Sequence, residues 1–336
     1  GCVQCGGCMV GCRFNAKNTL DKNYLFLAER NGLVLQADTE VMKVAPSSGG
    51  GYTVEALAGA SILPWRRKRM SYTTAKVIFA GGVLGTVPLL LKLKADPTAL
   101  PALSEHLGDF VRTNSEVLMG LLSLDKTADM SKGIAIGSIL HTDKHSHVEP
   151  ARYSGGSGFF RLLAAPHASG DNVVARLRNM LGQLAGNPVR FTRALLRWDW
   201  AKYTTIMLYM RTIDGYLKLV PGRGLTTLFL RGTVSKPSRG IVPTASIPEA
   251  DALAERIAQK LDAVPQSLLT ETLFGIPTTA HILGGCAIGA TREHGVIDTS
   301  HELFGYPGLY VIDGSAVSAN PGVNPSLTIA AMAELA

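Results

Sequence analysis

The end of the chain carries a short apolar run, a glycine turn and a helix-forming stretch, and this order constrains the fold more than any other feature. Residues 309–312 are apolar and partly β-branched, so they predict a buried parallel strand that ends at Asp313. Open α/β sheets bind ligands outside the carboxyl ends of their strands, so the Asp313 end is expected to face a ligand. A helix is predicted over residues 326–335, with Asn324 as its N-cap and Pro325 at its first position. The partial positive charge at such a helix N-terminus suits an electron-rich group at the strand edge.

The first part of the chain predicts a helix, a β-meander and a strand followed by a glycine turn. Apolar residues at helical spacing indicate a short helix over residues 19–30. Three β-rich runs predict strands at residues 33–36, 40–45 and 52–58. Residues 76–80 predict a buried strand that leads through Gly81 and Gly82 into an apolar helix. A strand, a glycine turn and a helix in this order let the backbone approach a dinucleotide.

The middle of the chain, residues 111–280, predicts strands mixed with helices. The predicted strands are residues 117–124, 133–140, 203–212 and 225–230, and the predicted helices are residues 172–184 and 249–264. Aromatic and methionine side chains in this region, among them Phe159, Trp198 and Trp200, could line a cavity for a large apolar ligand. The alternative for each of them is an ordinary place in the core.

Four of the five cysteines crowd the start of the chain: Cys2, Cys5, Cys8 and Cys12. Their C-x2-C-x2-C-x3-C spacing is that of bacterial ferredoxins, so one hypothesis is an iron–sulfur electron-transfer or binding module. Arg13 stands where ferredoxins have proline, and no second cysteine set follows. The other hypothesis is a set of reduced structural thiols in a cytoplasmic protein.

A second group of metal-ligand residue types consists of His141, His145, His147 and Glu149. Three zinc ligands of proper geometry would need a loop and a strand to converge, and residues 142–144 are typical of a turn. We therefore predict no metal site. The sequence also offers no Gly-x-Ser-x-Gly elbow in a strand-to-helix setting, which disfavours hydrolase chemistry.

Several spaced motifs in the last part of the chain occur in one order. They are His-x-x-Gly-Gly at His281, Gly284 and Gly285, Gly-x-x-Asp at Gly295 and Asp298, the run from Pro307 to Ser315, and Gly-x-Asn-Pro-x-x-Thr-Ile at Gly322, Asn324, Pro325, Thr328 and Ile329. This set resembles the C-terminal signature of the glucose-methanol-choline (GMC) oxidoreductases, most closely their cholesterol oxidase branch. The resemblance implies FAD-dependent oxidation of an alcohol to a ketone, with a 3β-hydroxysteroid such as cholesterol as substrate and oxygen or another carrier as electron acceptor.

The resemblance also assigns roles to residues. It implies His281 as base or hydrogen-bond partner of the substrate oxygen and Asn324 as the residue that orients the alcohol. The cofactor-binding residues that it implies are Asp313, Gly314, Ser315, Gly322, Val323 and Pro325. Cholesterol oxidases that also isomerise their product use a carboxylate of the substrate domain. No glutamate lines up ahead of the strand that starts near residue 204, where Asp199 and Lys202 stand, so isomerase activity and the sterol itself are in doubt.

A flavoprotein of this class should also carry a βαβ unit with Gly-x-Gly-x-x-Gly, and the chain has no such fingerprint. Because the family carries it upstream of the cysteine run, the chain is expected to be the C-terminal part of a longer enzyme. The predicted fold class is α/β (α+β): an incomplete FAD-binding Rossmann-like domain with an inserted substrate domain on a mainly antiparallel sheet. The predicted segments are 1–110 and 281–336 for the FAD-binding domain and 111–280 for the substrate domain.

Charge and hydropathy limit the partners. No apolar run approaches the roughly 18 residues that cross a bilayer, and the net charge is +7 at pH 7. The basic residues are scattered except for the run at residues 66–69, which favours a solvated turn over a nucleic-acid site. The predicted location is the cytoplasm, and the net charge leaves peripheral contact with an anionic membrane open.

Overall fold

The computed structural model of the chain describes residues 1–170, 172–224, 227–238, 243–244, 246–275 and 277–336. These residues form two compact units. Unit 1 is Gly1–Leu27, Asn114–Ile213 and Pro243–Ala280, and unit 2 is Ala28–Thr113, Asp214–Val242 and His281–Ala336. The predicted segments 1–110, 111–280 and 281–336 differ from these units, because the cysteine run packs with unit 1 and the described residues 214–224 and 227–238 pack with unit 2. The functions assigned to the segments stay predictions.

The described helices and strands are numbered in chain order. The helices are α1 (Tyr24–Arg30), α2 (Val83–Ala95), α3 (Val173–Gly186), α4 (Pro188–Leu195), α5 (Trp200–Tyr203), α6 (Pro248–Lys260), α7 (Leu269–Phe274) and α8 (Ser326–Leu335). The strands are β1 (Thr39–Pro46), β2 (Tyr52–Ala58), β3 (Lys68–Thr74), β4 (Val77–Phe79), β5 (Val111–Arg112), β6 (Val117–Ser123), β7 (Leu140–His141), β8 (Ser146–Ala151), β9 (Ala164–Pro166), β10 (Thr204–Arg211), β11 (Tyr216–Gly222), β12 (Gly232–Pro237), β13 (Ala263–Leu268) and β14 (Leu309–Val311). The fold is mixed α/β with mainly antiparallel sheets, as predicted.

Unit 2 is built around the parallel pair β4–β14, in which Leu309 lies opposite Val77 and Val311 opposite Phe79. Both strands were expected from their apolar runs, and both are confirmed. Helix α2 packs Val87 and Leu90 into the core that these strands share. Each fully buried side chain of this size contributes about 1.5–3 kcal/mol. Two antiparallel sheets, β1-β2-β3 and β12-β11-β5, complete the unit.

Three predictions in unit 2 need correction. Residues 33–36 are not a strand. The third strand of the meander is instead β3, which begins within the basic run and pairs Lys68 with Ala58 of β2. Helix α8 begins at Ser326, so Pro325 and not Asn324 is its N-cap. Residues 227–230 form a turn, and the remaining predicted strand residues, 225 and 226, lie outside the described part of the chain.

Unit 1 contains an antiparallel six-stranded sheet with the order β7-β8-β10-β6-β13-β9. The alternation of β6 sends Met119 and Leu121 to the face covered by α6, whereas Leu122 packs with α4 and α5 on the other face. The predicted helix over 172–184 is confirmed as α3, capped by the side chain of Asn172.

Three predictions in unit 1 were only partly right. The predicted helix over 249–264 ends at Lys260, because residues from Ala263 onward pair with β6. Residues 133–139 carry isolated bridges in place of a strand. The predicted helix over 19–30 is split into a 3-10 turn at Leu20–Lys22 and α1. Among the described helices, none has both the length and the apolar character that crossing a membrane requires.

Candidate active site

The predicted ligand edge in unit 2 is formed by the carboxyl ends of β4 and β14. The amide of Ile312 donates to the Phe79 carbonyl at 3.0 Å, which keeps the two strands together up to their last residues. Beyond that point β4 enters the turn at Gly81 and Gly82, and β14 enters the turn that begins with Asp313. The two turns therefore lie side by side at one sheet edge.

Both oxygens of the Asp313 carboxylate accept hydrogen bonds from these turns. Oδ2 accepts from the Gly82 amide at 2.8 Å and from the Thr86 hydroxyl at 2.5 Å. Oδ1 accepts from the amide and the hydroxyl of Ser315, at 2.7 and 2.6 Å. A carboxylate offers about four acceptor sites, so these donors saturate it. Its negative charge also lies at the N-terminus of α2, where the helix dipole favours it. Asp313 therefore holds the two turns together.

A cavity of about 680 Å³ opens beside the glycine turn that follows β4. Gly81, Gly85 and Thr86 line it together with apolar side chains of β1, β2, β4 and α2. A Cβ atom built on Gly82 or Gly85 would meet no heavy atom within 4 Å apart from chain neighbours. The volume lies in the range of cofactor sites. Open glycine backbone and an apolar wall fit a large flat group such as the predicted FAD.

The segment that begins at His281 is fixed against the turn after β14. Leu283 exchanges two backbone hydrogen bonds with Arg112, at 2.7 and 3.0 Å. The Gly284 amide donates to the Gly314 carbonyl at 3.0 Å, and the Cys286 amide donates to the Ser315 carbonyl at 2.9 Å. His281 itself is half-buried. The structure therefore brings the His281 segment next to Gly314 and Ser315, as the sequence-predicted site requires.

The two glycines of the His-x-x-Gly-Gly motif are required by close packing. Gly284 has a φ of +80°, and a Cβ atom on it would lie 2.1 Å from the carbonyl oxygen of Phe110. Gly285 has a φ of +102°, and its Cβ atom would lie 2.7 Å from Val87 Cγ2. Side chains at these positions would push the His281 segment away from its neighbours.

Arg112 is a positioning residue that the sequence analysis missed. Its guanidinium donates to both oxygens of Asp214, at 2.8 and 3.3 Å, and lies 5.4 Å from the ring centres of Phe110 and Tyr216. The backbone of Arg112 is the partner of Leu283, so this buried group anchors the His281 segment from the opposite side. No local motif marks Arg112. Thr86, also missed, could have been found from its place in the first turn after Gly81 and Gly82.

The other predicted site residues lie in the turn before α8. Gly322 is buried with a φ of +66°, and its amide donates to the Asn320 side chain at 2.8 Å. Pro325 is buried, whereas the side chains of Val323 and Asn324 are exposed. A Cβ atom on Gly314 would lie 3.3 Å from Ile329 Cδ1, so the second turn of α8 packs against the turn that follows β14. Gly314 and Ser315 are thus joined to the His281 segment by hydrogen bonds, and Gly314 also packs against α8.

The fifth cysteine, Cys286, lies inside this arrangement. It is fully buried, and burial raises the pKa of its thiol to about 12, with the nearby Asp313 carboxylate acting in the same direction. A hydrogen bond to Ser315 opposes the shift. Cys286 is therefore a packed, protonated thiol without nucleophilic character.

The cysteine run and the histidine cluster lie in unit 1. Across the described part of the chain, no group of three or more histidine, cysteine, aspartate or glutamate side chains is arranged to hold a metal ion. The Sγ atom of Cys12 accepts the Ala16 amide at 3.3 Å, and such backbone donors lower the pKa of its thiol. His147 is buried on β8, and its Nε2 lies 3.7 Å from Glu149 Oε1. Burial lowers the pKa of His147, and Glu149 opposes this shift.

Asp199, the carboxylate nearest to the position expected of an isomerase residue, is used as a helix cap. Its side chain accepts from the Lys202 amide at 3.3 Å at the start of α5 and from the Gly156 amide at 2.9 Å. On the same face of the sheet a small apolar recess of about 80 Å³ is lined by Leu118, Gly120, Trp200 and others. A Cβ atom on Gly120 would lie 3.5 Å from the Trp200 ring, so the glycine keeps this recess open.

A polar cavity in unit 1, of about 230 Å³, is lined by a carboxyl group that the sequence analysis did not single out. Glu271 is 4% exposed; its Oε1 accepts the Thr278 amide at 2.9 Å, and within the described ranges Oε2 has no hydrogen-bond partner. Burial raises the pKa of Glu271 to about 7, against hydrogen bonds from Thr278 that lower it. His167 and Arg176 also line this cavity. Only the tertiary structure places these groups together, so no sequence signal could have found them.

Comparison with known proteins gives the family and the fold of the chain. Two family models described as GMC oxidoreductase match residues 1–99 and 242–333, together more than half of the chain. The structure of pyridoxine 4-oxidase from Mesorbium loti aligns with a TM-score of 0.57 at 12% identity, over 96% of this chain and 62% of that one. At this identity the alignment shows a shared fold.

Sequence relatives extend over the whole chain. A cholesterol oxidase of Acinetobacter baumannii is 41% identical over 338 residues, which cover 100% of this chain and 60% of the relative. A cholesterol oxidase of Mycobacterium tuberculosis is 42% identical over 342 residues, which cover 100% of this chain and 58% of the relative. The chain thus spans about three fifths of the length of these relatives. On the family matches, the ordered motifs and these relatives, the chain belongs to the GMC oxidoreductase family, in its cholesterol oxidase-like branch.

Proposed function

We propose that the protein containing this chain oxidises an alcohol to a ketone with FAD as cofactor, and that its substrate is a 3β-hydroxysteroid. The observation that carries the proposal is the hydrogen-bonded junction of the His281 segment with Gly314 and Ser315 at the carboxyl end of β14. FAD, when bound, supplies the acceptor for the hydride that leaves the carbinol carbon. The relatives named cholesterol oxidase support the sterol class and oxygen as electron acceptor.

His281 is proposed to take the hydroxyl proton as the carbon–hydrogen bond breaks. Imidazole is the side chain suited to accept a proton near neutral pH. The Gly284 and Cys286 amides hold the backbone segment that follows His281 against the turn after β14. Asn324 is proposed to orient the alcohol, because its amide can both donate to and accept from a hydroxyl group.

The cofactor would be held by backbone at the sheet edge. Gly314, Ser315, Gly322, Val323 and Pro325 are the proposed contacts, and Asp313 acts by positioning the first two. Helix α8 begins directly after this turn, and its N-terminal dipole would favour an electron-rich group held there.

The iron–sulfur module stays the alternative hypothesis; within the described residues, no group of side chains is arranged to hold a metal ion.

The test is turnover of a 3β-hydroxysteroid by the full-length protein with His281→Gln and Asn324→Ala. Each variant should lower kcat by about 10²- to 10⁴-fold, because a proton acceptor or a substrate-orienting group is lost. The visible flavin spectrum should be retained in both. His294→Gln changes an exposed histidine of the same unit and serves as the matched control. Steroid oxidation at the normal rate by His281→Gln would contradict the assignment.

A further inference from the structure

The loop between β2 and β3 in unit 2 exposes two large apolar side chains. Ile62 is 89% exposed and Trp65 is 78% exposed. They flank Pro64, which opens a 3-10 turn over Pro64–Arg66. Burial of such side chains in an apolar medium is favourable, so a loop that holds both of them in water presents a contact surface.

The loop is held in this shape by its own hydrogen bonds. The Arg66 amide donates to the Leu63 carbonyl at 3.0 Å, and the Leu63 amide donates to Ser61 Oγ at 3.2 Å. Arg67 closes the base of the loop: its Nε donates to the Ser61 carbonyl, and Nη1 pairs with Glu40 Oε2, both at 2.6 Å. Because the backbone is already ordered, little conformational entropy is lost when Trp65 enters a partner.

Three further cations surround the apolar pair. Arg66, Lys68 and Arg69 are exposed, whereas Arg67 is the one used inside the loop. Basic residues on an edge strand such as β3 prevent pairing with other sheets, which accounts for Lys68 and Arg69 but leaves Ile62 and Trp65 unexplained. An aliphatic side chain and a tryptophan, next to cations, match the acyl boundary and the headgroups of an anionic bilayer.

We propose that this loop, residues 62–69, docks the protein on the surface of an anionic lipid bilayer. Ile62 and Trp65 enter the interface between headgroups and acyl chains, and Arg66, Lys68 and Arg69 meet the lipid phosphates. Two inserted side chains and three cations give a reversible contact. The proposal rests on residues of the loop itself and does not depend on the catalytic proposal.

The test is sedimentation of the full-length protein with vesicles of phosphatidylcholine alone and with vesicles that also contain phosphatidylglycerol. Arg66→Gln/Lys68→Gln/Arg69→Gln should weaken partitioning to the anionic vesicles by roughly a hundredfold, since each cation near the surface contributes. Ile62→Gln/Trp65→Gln should weaken it by about tenfold. All five side chains are exposed, so the variants should keep the circular dichroism of the parent.

The matched control is Trp198→Gln, which changes a tryptophan in unit 1 that is 82% exposed and has Arg161 over its ring. This variant should bind vesicles like the parent. The proposal is overturned if Ile62→Gln/Trp65→Gln binds like the parent, or if Trp198→Gln loses as much binding. It is also overturned if vesicles without phosphatidylglycerol bind equally well, or if a soluble polyanion such as duplex DNA binds and competes more tightly than the vesicles.

Discussion

Two carboxyl groups, the partly buried Asp313 of unit 2 and the buried Glu271 of unit 1, differ in the hydrogen-bond donors that they receive. In unit 2, Asp313 receives donors on both oxygens from Gly82, Thr86 and Ser315. In unit 1, Glu271 has a donor on one oxygen and, within the described residues, none on the other. A carboxylate surrounded by donors is stabilised as an anion, whereas a buried carboxyl group with few donors keeps its proton to higher pH.

This difference separates a structural role from a titratable one. Asp313 joins the turns after β4 and β14, so its charge is part of the fold at the candidate site. Glu271 lies by a polar cavity with a pKa raised to about 7, so its protonation changes in the physiological range. Because burial disfavours its charged form, Glu271 is expected to cost stability in unit 1 when it is charged.

The largest effect is expected from Asp313→Asn. The amide would place an NH2 group against donors that now share one oxygen, so at least two hydrogen bonds are lost and about 4 kcal/mol of stability with them. Urea denaturation at pH 7 measures the loss. Glu105→Gln is the control, because its carboxylate is 87% exposed and pairs with Lys94 at the surface; it should cost less than about 1 kcal/mol. Equal losses of stability in the two variants would contradict the prediction that the Asp313 hydrogen bonds stabilise the fold more than a surface ion pair does.

Glu271→Gln should stabilise the protein, and the size of this stabilisation should depend on pH. The pKa of Glu271 is raised in the folded protein from 4.5 to about 7, so the folded state binds an extra proton between these values. Stability from this group is present in full below pH 4.5 and is lost as the pH rises through 7. The variant lacks this loss. The free energy of unfolding of the variant relative to that of the parent should therefore rise by about 3 kcal/mol from pH 4 to pH 8.

Denaturation midpoints across this pH range give the difference. Glu255→Gln, an exposed position on α6, is the matched control and should leave the pH profile of the parent unchanged. A Glu271→Gln profile parallel to that of the parent would show that Glu271 does not titrate as a buried group.

The smallest effect is expected from Thr86→Val, which keeps the shape of a side chain that is 2% exposed and removes its hydroxyl group. The Asp313 carboxylate loses one donor and the Gly81 amide loses its acceptor at 3.1 Å, so about 1–2 kcal/mol should be lost. In the Asp313→Asn background the same change should cost about 1 kcal/mol less, because its partner is already altered. Additive losses would contradict a direct coupling of the two side chains.

Local sequence patterns correctly predicted the strands and helices whose burial and caps follow from their own residues. The apolar runs that became β4 and β14 are buried in a parallel pair, and Asn172 begins α3 as a cap. Prediction failed where distant pairing overrode the local pattern. The apolar periodicity of α6 continues past Lys260, yet Asp262 adopts a φ of +41° and Ala263 pairs with Ser123 of β6. The charged run that seemed to be only a turn begins β3, because β2 offers it a partner.

The sequence by itself determined the family motifs, the strand and the glycine turn at residues 309–315, and the residue types on which the proposed function rests. Tertiary structure alone decided how those residues are used. Asp313 is bonded to Gly82 and Thr86, which lie more than two hundred residues earlier in the chain, and Arg112 supports the segment of His281 from a third region. Hydrogen bonds between such distant residues depend on how the chain packs, and burial decides whether a carboxyl group such as Glu271 keeps its proton.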